Sequence, residues 1–459
     1  MNNYGYGTNS TVDSLPQCLN STMAWDTNHM RATCAQRVEH VPRGWQNWQA
    51  LKGNSVYYNY TLSNNGVAEK HGDKYEDDYL IDLVKNRTLD FLGSAIAAKK
   101  PFFATLAVPS AHEPADPAPQ YADYAEDLVA PRTPNFNLVM GANGPRGDDA
   151  RHWMVANVNG ASGGIPMNDT VISFVDLLYR RRLATLQSVD DLVEALVNKV
   201  DAAGKLDETY FVYTADNGYH LGQFAIGLDK RQPYDTDVKV PFYARGPGIP
   251  KRSQITYGAL ISIDLAPTFL QWAQVDLETI AALAFDGQPM AKYIASGSST
   301  PRRDFLIEYQ GENWDMCATY LANDFPGVNW DKLDDGVNCG LRGPDSFLTE
   351  PFWKGRETWS SIQDSSNNTY NCVRSVAGGG AVEEAGEIAA TAKSGNSTDE
   401  IYCEWASGEV EYYDLIADPW QMANLAPSMD PTLQREYQAK LAGLVGCVGS
   451  VECNGIKKE

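Results

Sequence analysis

The sequence predicts an α/β protein, and three stretches predict it. Tyr210–Thr214 is β-branched or aromatic almost throughout and reads as a buried strand. Pro101–Pro109 is a second such run, and between the two lies the longest helical pattern of the chain, Asp169–Ala203, ended by Gly204. Strand, helix and strand in succession is the alternation of a mostly parallel sheet flanked by helices.

Composition suits a globular chain of one large domain or two. The 459 residues are 43% hydrophobic and 21% charged, and no stretch approaches the roughly 20 apolar residues that span a bilayer. Membrane insertion is therefore not expected. A net charge of −22 argues against nucleic acid as a partner and against a broadly basic glycan-binding surface. The surplus acid also has a plain reading, solubility in an acidic lumen where some carboxylates are protonated.

Taken in order, Met1–Gly7 has neither a basic n-region nor an apolar h-region, so it is no signal peptide. Residues 6 to 40, rich in Ser, Thr and Asn, read as a glycosylated loop containing Cys18 and Cys34. Tyr79–Leu92 carries Leu80, Leu83, Leu89 and Leu92 at helical spacing. The Pro101 run ends in Ser110-Ala-His112-Glu-Pro114, and a histidine just past a strand stands where α/β active sites form. A loop histidine satisfied by backbone fits the same residues equally well. Residues 115 to 168 are loop-rich. Within them Arg151-His152-Trp153 could shape a sugar pocket, a ring stacking on the pyranose and Arg meeting a carboxylate or sulfate, although a structural loop is the commoner use.

In Asp169–Ala203 the apolar positions Val171, Phe174, Leu178, Leu186, Val189, Leu192, Leu196 and Val200 recur at three and four. Asp190 and Asp191 in that run read as a solvated or capping pair rather than a catalytic dyad.

The strand after the helix ends in Asp216-Asn217-Gly218, which places a carboxylate and an amide oxygen at its mouth. A hard divalent cation wants such oxygens. His220 and Lys230 follow as a proton donor and a fixed cation, completing the parts for hydrolysing an anionic ester. Alone, Asp-Asn-Gly is also a common turn.

Eight cysteines, Cys18, Cys34, Cys317, Cys339, Cys372, Cys403, Cys447 and Cys453, include no Cys-x-x-Cys pair. Glycosylation sequons stand at Asn9, Asn20, Asn59, Asn86, Asn168, Asn367 and Asn396. Sequons and an even cysteine count point together to the secretory route.

The longer string is more specific. Asp216-Asn217-Gly218-Tyr219-His220-Leu-Gly-Gln-Phe, then Asp229-Lys230-Arg231-Gln232 with Tyr234-Asp235, then Lys239-Val-Pro and Arg245-Gly-Pro-Gly248, resembles the second half of the sulfatase family. Within the family it is most similar to the branch that removes 6-sulfate from N-acetylglucosamine in heparan and keratan sulfate. His40-Val-Pro-Arg-Gly-Trp45, Tyr57–Thr61, His71-Gly, Ile261-Ser-Ile-Asp264-Leu-Ala-Pro267-Thr and Glu411–Pro419 extend the resemblance over most of the chain.

The resemblance implies an alkaline-phosphatase-like architecture: an incomplete catalytic domain over 1–300, and a smaller C-terminal antiparallel-sheet subdomain over 301–459. It implies one Ca2+ ion on Asp216 and Asn217, sulfate held by Lys230, and His112 in the sulfate pocket, with His112 or His220 donating the proton. It suggests a Cys447–Cys453 disulfide, a sulfated glycosaminoglycan as substrate, and the lysosome or the cell exterior as location. Whether two copies pair is left open. One departure is visible: the acid after the tyrosine, usually Glu in the family, is Asp235 here.

A second departure is larger. Family members carry paired metal-binding aspartates and a Cys-x-Pro-Ser-Arg, whose cysteine becomes formylglycine, upstream of the segment where this chain opens with Met1-Asn2-Asn3-Tyr4-Gly5. No cysteine of the 459 residues has Pro two positions on and Arg four on. Ser299-Thr-Pro301-Arg-Arg303 fits a serine version but lies after the metal strand, and reads as coincidence. The N-terminal part of the sheet is thus expected to be missing. A catalytically dead glycan-binding glycoprotein, or a sulfatase of other specificity such as a 6-O-endosulfatase, are the alternatives. Two ligands fall short of the roughly six oxygens a calcium ion takes. The 459 residues alone are therefore expected to bind calcium weakly and not to turn over, and measurable sulfate release from glucosamine 6-sulfate would contradict this.

Overall fold

The computed structural model describes residues 38–53, 55–139, 151–156, 164, 166–228, 230–253, 260–297, 304–311, 368–377 and 397–453. Cys18, Cys34, Cys317, Cys339, the sequons at Asn9, Asn20, Asn367 and Asn396, the Ser299–Arg303 string and most of the 377 to 396 segment lie outside them. The chain divides into two compact units: Met1–Ala130 with Ser173–Asp207 and Pro344–Arg356, and Pro131–Ile172 with Glu208–Gly343 and Glu357–Glu459.

The first unit opens with a three-stranded antiparallel sheet, β1 (Gln49–Leu51), β2 (Thr61–Asn64) and β3 (Val67–Lys70). Asn65-Gly66 joins β2 to β3 with φ of 51° and 88°, the left-handed pair that a two-residue hairpin needs. Helix α1 (Leu80–Ala97) lays Leu80 against Tyr60 and Leu62 of this sheet, with Leu51, Val56, Leu83 and Val84 around them. It begins where the leucine spacing predicts and continues five residues past Leu92.

Helix α2 (Asp169–Ala202) matches the long helical pattern almost to the residue. The Asn168 side chain accepts from Val171 N at 3.0 Å and caps its start, and Gly204, at φ 66°, follows its end. Val171, Leu178, Val189, Leu192, Leu196 and Val200 are buried as expected, whereas Val175 and Thr185 take the deep places predicted for Phe174 and Leu186. Asp191 accepts from Tyr121 Oη at 2.9 Å, a structural use, and Asp190 is exposed.

In the second unit β4 (Phe211–Thr214) pairs antiparallel with β5 (Phe242–Arg245). A four-stranded antiparallel sheet follows, in the order β6 (Asp304–Tyr309), β7 (Tyr370–Ala377), β8 (Thr398–Trp405) and β9 (Val410–Asp414), and this is the expected C-terminal sheet. Helix α5 (Pro431–Val445), capped by Asp430 with Pro431 at its first position, packs Tyr437 and Leu441 onto Val373, Tyr402 and Tyr412. Helix α4 (Leu265–Trp272) carries Pro267 in its first turn as foreseen. Beneath it the buried Asp264 accepts from Ile261 N at 3.1 Å and Gln288 N at 2.9 Å.

Two expectations are corrected. Pro101–Pro109 forms no strand among the described residues, and most of its side chains are exposed or half-buried. β4 is a strand but not a buried one: Phe211 and Val212 are half-buried, and Tyr213 and Thr214 face solvent. Both runs are apolar enough for a sheet interior, yet β4 has only β5 beside it among the described strands, and every strand pair described is antiparallel. No described helix is long and apolar enough to cross a membrane.

The expected Cys447–Cys453 disulfide is present, and Cys372 of β7 is joined to Cys403, its directly opposite partner on β8. The bonds span 31 and 6 residues. Constraint of the unfolded chain alone makes the longer loop worth about 4 kcal/mol and the shorter about 2 kcal/mol. Replacing both cysteines of each pair by Ala is expected to lower unfolding free energies in that order, measured by urea denaturation.

Candidate active site

The Asp-Asn-Gly string leaves β4 and is stitched to a four-residue helical turn, α3 (Asp235–Val238). Gly218 N donates to Asp237 O and Tyr219 N to Thr236 O, both at 2.7 Å. Gly218 is required for space and not for an unusual φ. A Cβ built on it would lie 1.9 Å from Thr236 O. The turn is thus held by contact with α3, where the sequence suggests only a sharp bend.

Asp216 is exposed and Asn217 half-buried. Asp216 Oδ1 accepts from Asn217 N at 3.0 Å, and Asn217 Nδ2 donates to Gly218 O at 2.7 Å. With its Nδ2 engaged, Asn217 has its amide oxygen to offer a cation, beside a carboxylate. Both are hard oxygen donors and fit calcium, as two of the six to eight ligands such an ion takes. Among the described residues no cluster of three or more His, Cys, Asp or Glu side chains could hold a metal.

Lys230 is half-buried, and two residues on Gln232 N donates to Asp237 Oδ2 at 2.7 Å. The same short turn therefore ties down the segment bearing the oxygens and the segment bearing the ammonium. Asp229 lies outside the described residues.

His220 is fully buried, its Nδ1 2.6 Å from Asp237 Oδ1 and its Nε2 3.4 Å from Thr236 Oγ1. Its ring is not open to a ligand, so of the two histidines offered as proton donor this one is used inside the protein. His112, in the first unit, is partly open, with 28% of its side chain exposed. Its backbone is fixed by His112 N donating to Pro109 O at 2.7 Å and by Tyr57 Oη donating to His112 O at 2.9 Å. Its Nδ1 lies 2.8 Å from Glu113 O. A carbonyl only accepts, so Nδ1 carries the proton in this contact.

Several residues that the sequence did not single out surround α3. Arg374 of β7 pairs with Asp235, and its Nε and Nη2 fork onto Asp399 at 2.8 and 3.0 Å. Burial opposes the charge on this guanidinium, and the two carboxylates more than offset it, holding its pKa above the ordinary value. Gln421 Oε1 accepts from Asp235 N at 2.8 Å. Glu411, fully buried on β9, accepts from Tyr234 Oη at 3.1 Å, Tyr413 Oη at 2.6 Å and His152 N at 2.8 Å. Burial raises its pKa against the pull of Arg151.

Arg151 and His152, weighed from sequence as sugar-binding groups, are interior. The Arg151 guanidinium lies over Phe224, 4.5 Å from the ring centre, and His152 stacks on Trp405 with centroids 5.0 Å apart. No periodicity could have found Arg374, since 139 residues separate it from Asp235.

Residues 2–275 match the Sulfatase family. The chain belongs to the sulfatase family. It is 37% identical over 447 residues to N-acetylglucosamine-6-sulfatase of Homo sapiens, covering 95% of this chain and 70% of that one. The solved structure of a protein in complex with its substrate D-glucosamine-2-N,6-O-disulfate superposes with a TM-score of 0.57 at 19% identity, covering 88% of this sulfatase and 76% of that chain. A phosphonate monoester hydrolase from Silicibacter pomeroyi superposes with a TM-score of 0.50 at 17% identity, over 92% of this chain and 68% of its own. These structures place the sulfatase in the alkaline-phosphatase-like fold.

Gly218→Ala is expected to cost about 2–4 kcal/mol in urea denaturation, because a backbone carbonyl cannot yield as a side chain can. Gly443→Ala on α5, where a Cβ meets nothing within 4 Å, is the control and is expected to stabilise by about 0.5–1 kcal/mol.

Proposed function

We propose that this sulfatase removes the 6-sulfate from N-acetylglucosamine residues of heparan and keratan sulfate, with Asp216, Asn217 and Lys230 acting at the ester. The observation that carries the reading is the 37% identity to human N-acetylglucosamine-6-sulfatase over 95% of the chain. Two oxygen donors at one turn, and an ammonium segment held by the same α3, supply chemistry that agrees with it.

When bound, a calcium ion supplies positive charge that draws electron density from the sulfate oxygens. The Asp216 carboxylate and the Asn217 amide oxygen would hold it. Lys230 sets a fixed ammonium on the same oxygens, where charge develops as the sulfur–oxygen bond breaks. The family resemblance offers His112 as the donor of a proton to the leaving sugar oxygen, and its Nδ1 faces Glu113 O at 2.8 Å. His220 acts through the loop, holding the backbone after Gly218 against Asp237 without touching the ester.

The reading includes passage through the secretory route to the lysosome, with sugars on Asn59, Asn86 and Asn168, all exposed. Two disulfides support that route. It also keeps the division into a catalytic domain over 1–300 and a C-terminal subdomain beyond. A second reading is glycan binding without turnover.

Joined to an upstream segment that carries the family's Cys-x-Pro-Ser-Arg and assayed with glucosamine 6-sulfate and calcium, the protein is expected to release inorganic sulfate, which the 459 residues alone are not. Lys230→Ala is expected to cut kcat/KM by about 10²–10³-fold. Calcium-dependent binding of the sugar without release would establish the second reading instead, and neither binding nor release would end both.

A further inference from the structure

We propose that Arg374 is a positioning residue of the site: by holding Asp235 it fixes α3, and α3 fixes both the Asp216–Asn217 oxygens and the Lys230 segment. The inference rests on the reading of those residues as a cation-and-sulfate site.

A four-residue turn does not hold its own shape, because closing a first helical turn costs more than its hydrogen bonds return. The anchors of α3 come from far along the chain. Arg374 pairs with the Asp235 carboxylate, Gln421 Oε1 takes the Asp235 amide at 2.8 Å, and Glu411 takes the Tyr234 hydroxyl at 3.1 Å.

Of these, Arg374 has the stiffest support. It is buried on β7, two residues from Cys372, which is bonded to Cys403 of β8. Its second carboxylate, Asp399, is also on β8. The guanidinium is thus a rigid fork with one prong set on Asp235 and two on Asp399.

From α3 the constraint passes outward by three hydrogen bonds of 2.7 Å, Gly218 N to Asp237 O, Tyr219 N to Thr236 O, and Gln232 N to Asp237 Oδ2. The first lies one residue from Asn217 and the third two residues from Lys230. Any shift of α3 therefore moves the oxygens and the ammonium together, and misplacement by about 1 Å is enough to cost ~10²-fold in a positioned reaction.

The test is amide hydrogen exchange, followed by mass spectrometry, on the wild-type chain and on Arg374→Lys, which keeps the charge and loses the fork. Asp235→Asn, which leaves Arg374 on Asp399, is the second variant should the first not fold. Gly218 and Tyr219 are expected to exchange about tenfold faster while the β7 and β8 amides keep wild-type protection. Calcium affinity by calorimetric titration is expected to fall by about tenfold in parallel. Unchanged exchange at Gly218 and Tyr219 would overturn the proposal. So would equal acceleration throughout the sheet, which is what a merely structural arginine predicts. If the wild-type chain takes up no calcium yet the local change appears, the cation reading fails while the link through α3 stands.

Discussion

The site depends on one close approach, the Gly218 backbone lying against the carbonyls of α3. Where a Cβ would come within 1.9 Å of an oxygen, only glycine fits, and its amide then has an acceptor 2.7 Å away. That pairing decides where β4 delivers Asp216 and Asn217. The buried His220 faces Asp237 of α3, Gln232 donates its backbone amide to the same carboxylate, and the buried Glu411 takes the hydroxyl of Tyr234, the residue before α3. A turn this short is stable only because its surroundings satisfy its polar groups, and in a low-dielectric interior those hydrogen bonds are costly to leave unmade.

The parts of the structure legible in the sequence are those governed by neighbours along the chain. The α2 pattern has the period, the Asn168 cap and the Gly204 stop that local rules recognise, and it ends within one residue of expectation. Asp430-Pro431 and Asn65-Gly66 are local signals of the same kind, found only once the helix and the hairpin are seen. Pro101–Pro109 was misread because apolarity alone does not create a strand; a strand also needs a partner, and no described residue pairs with it. His220 follows Asp216-Asn217-Gly218 closely enough to suggest a catalytic role, and no local pattern foretells its burial against Asp237. Arg374 carried no signal at all, since its partner Asp235 is a non-local contact across two secondary-structure elements.

The fold does not choose the chemistry. The same architecture is found in a protein solved with a sulfated glucosamine and in a phosphonate monoester hydrolase. Sulfur and phosphorus esters both present anionic oxygens to a cation and an ammonium, so Asp216, Asn217 and Lys230 would serve either. The similarity to N-acetylglucosamine-6-sulfatase is what separates them here. The acidity of the chain adds a constraint of its own. With a net charge of −22, most of the surface would repel an anionic polymer, and a substrate of that kind would have to be met where positive groups are held in place.

Asn168 serves two purposes with the two ends of one amide. Its oxygen closes the first turn of α2, and its nitrogen is the atom to which an oligosaccharide would be joined. The customary way of erasing a carbohydrate, exchanging asparagine for glutamine, would here also unpick a helix terminus, and a drop in secretion or solubility could be blamed on the wrong loss. Altering Thr170 instead abolishes the acceptor motif and leaves the amide oxygen at its post.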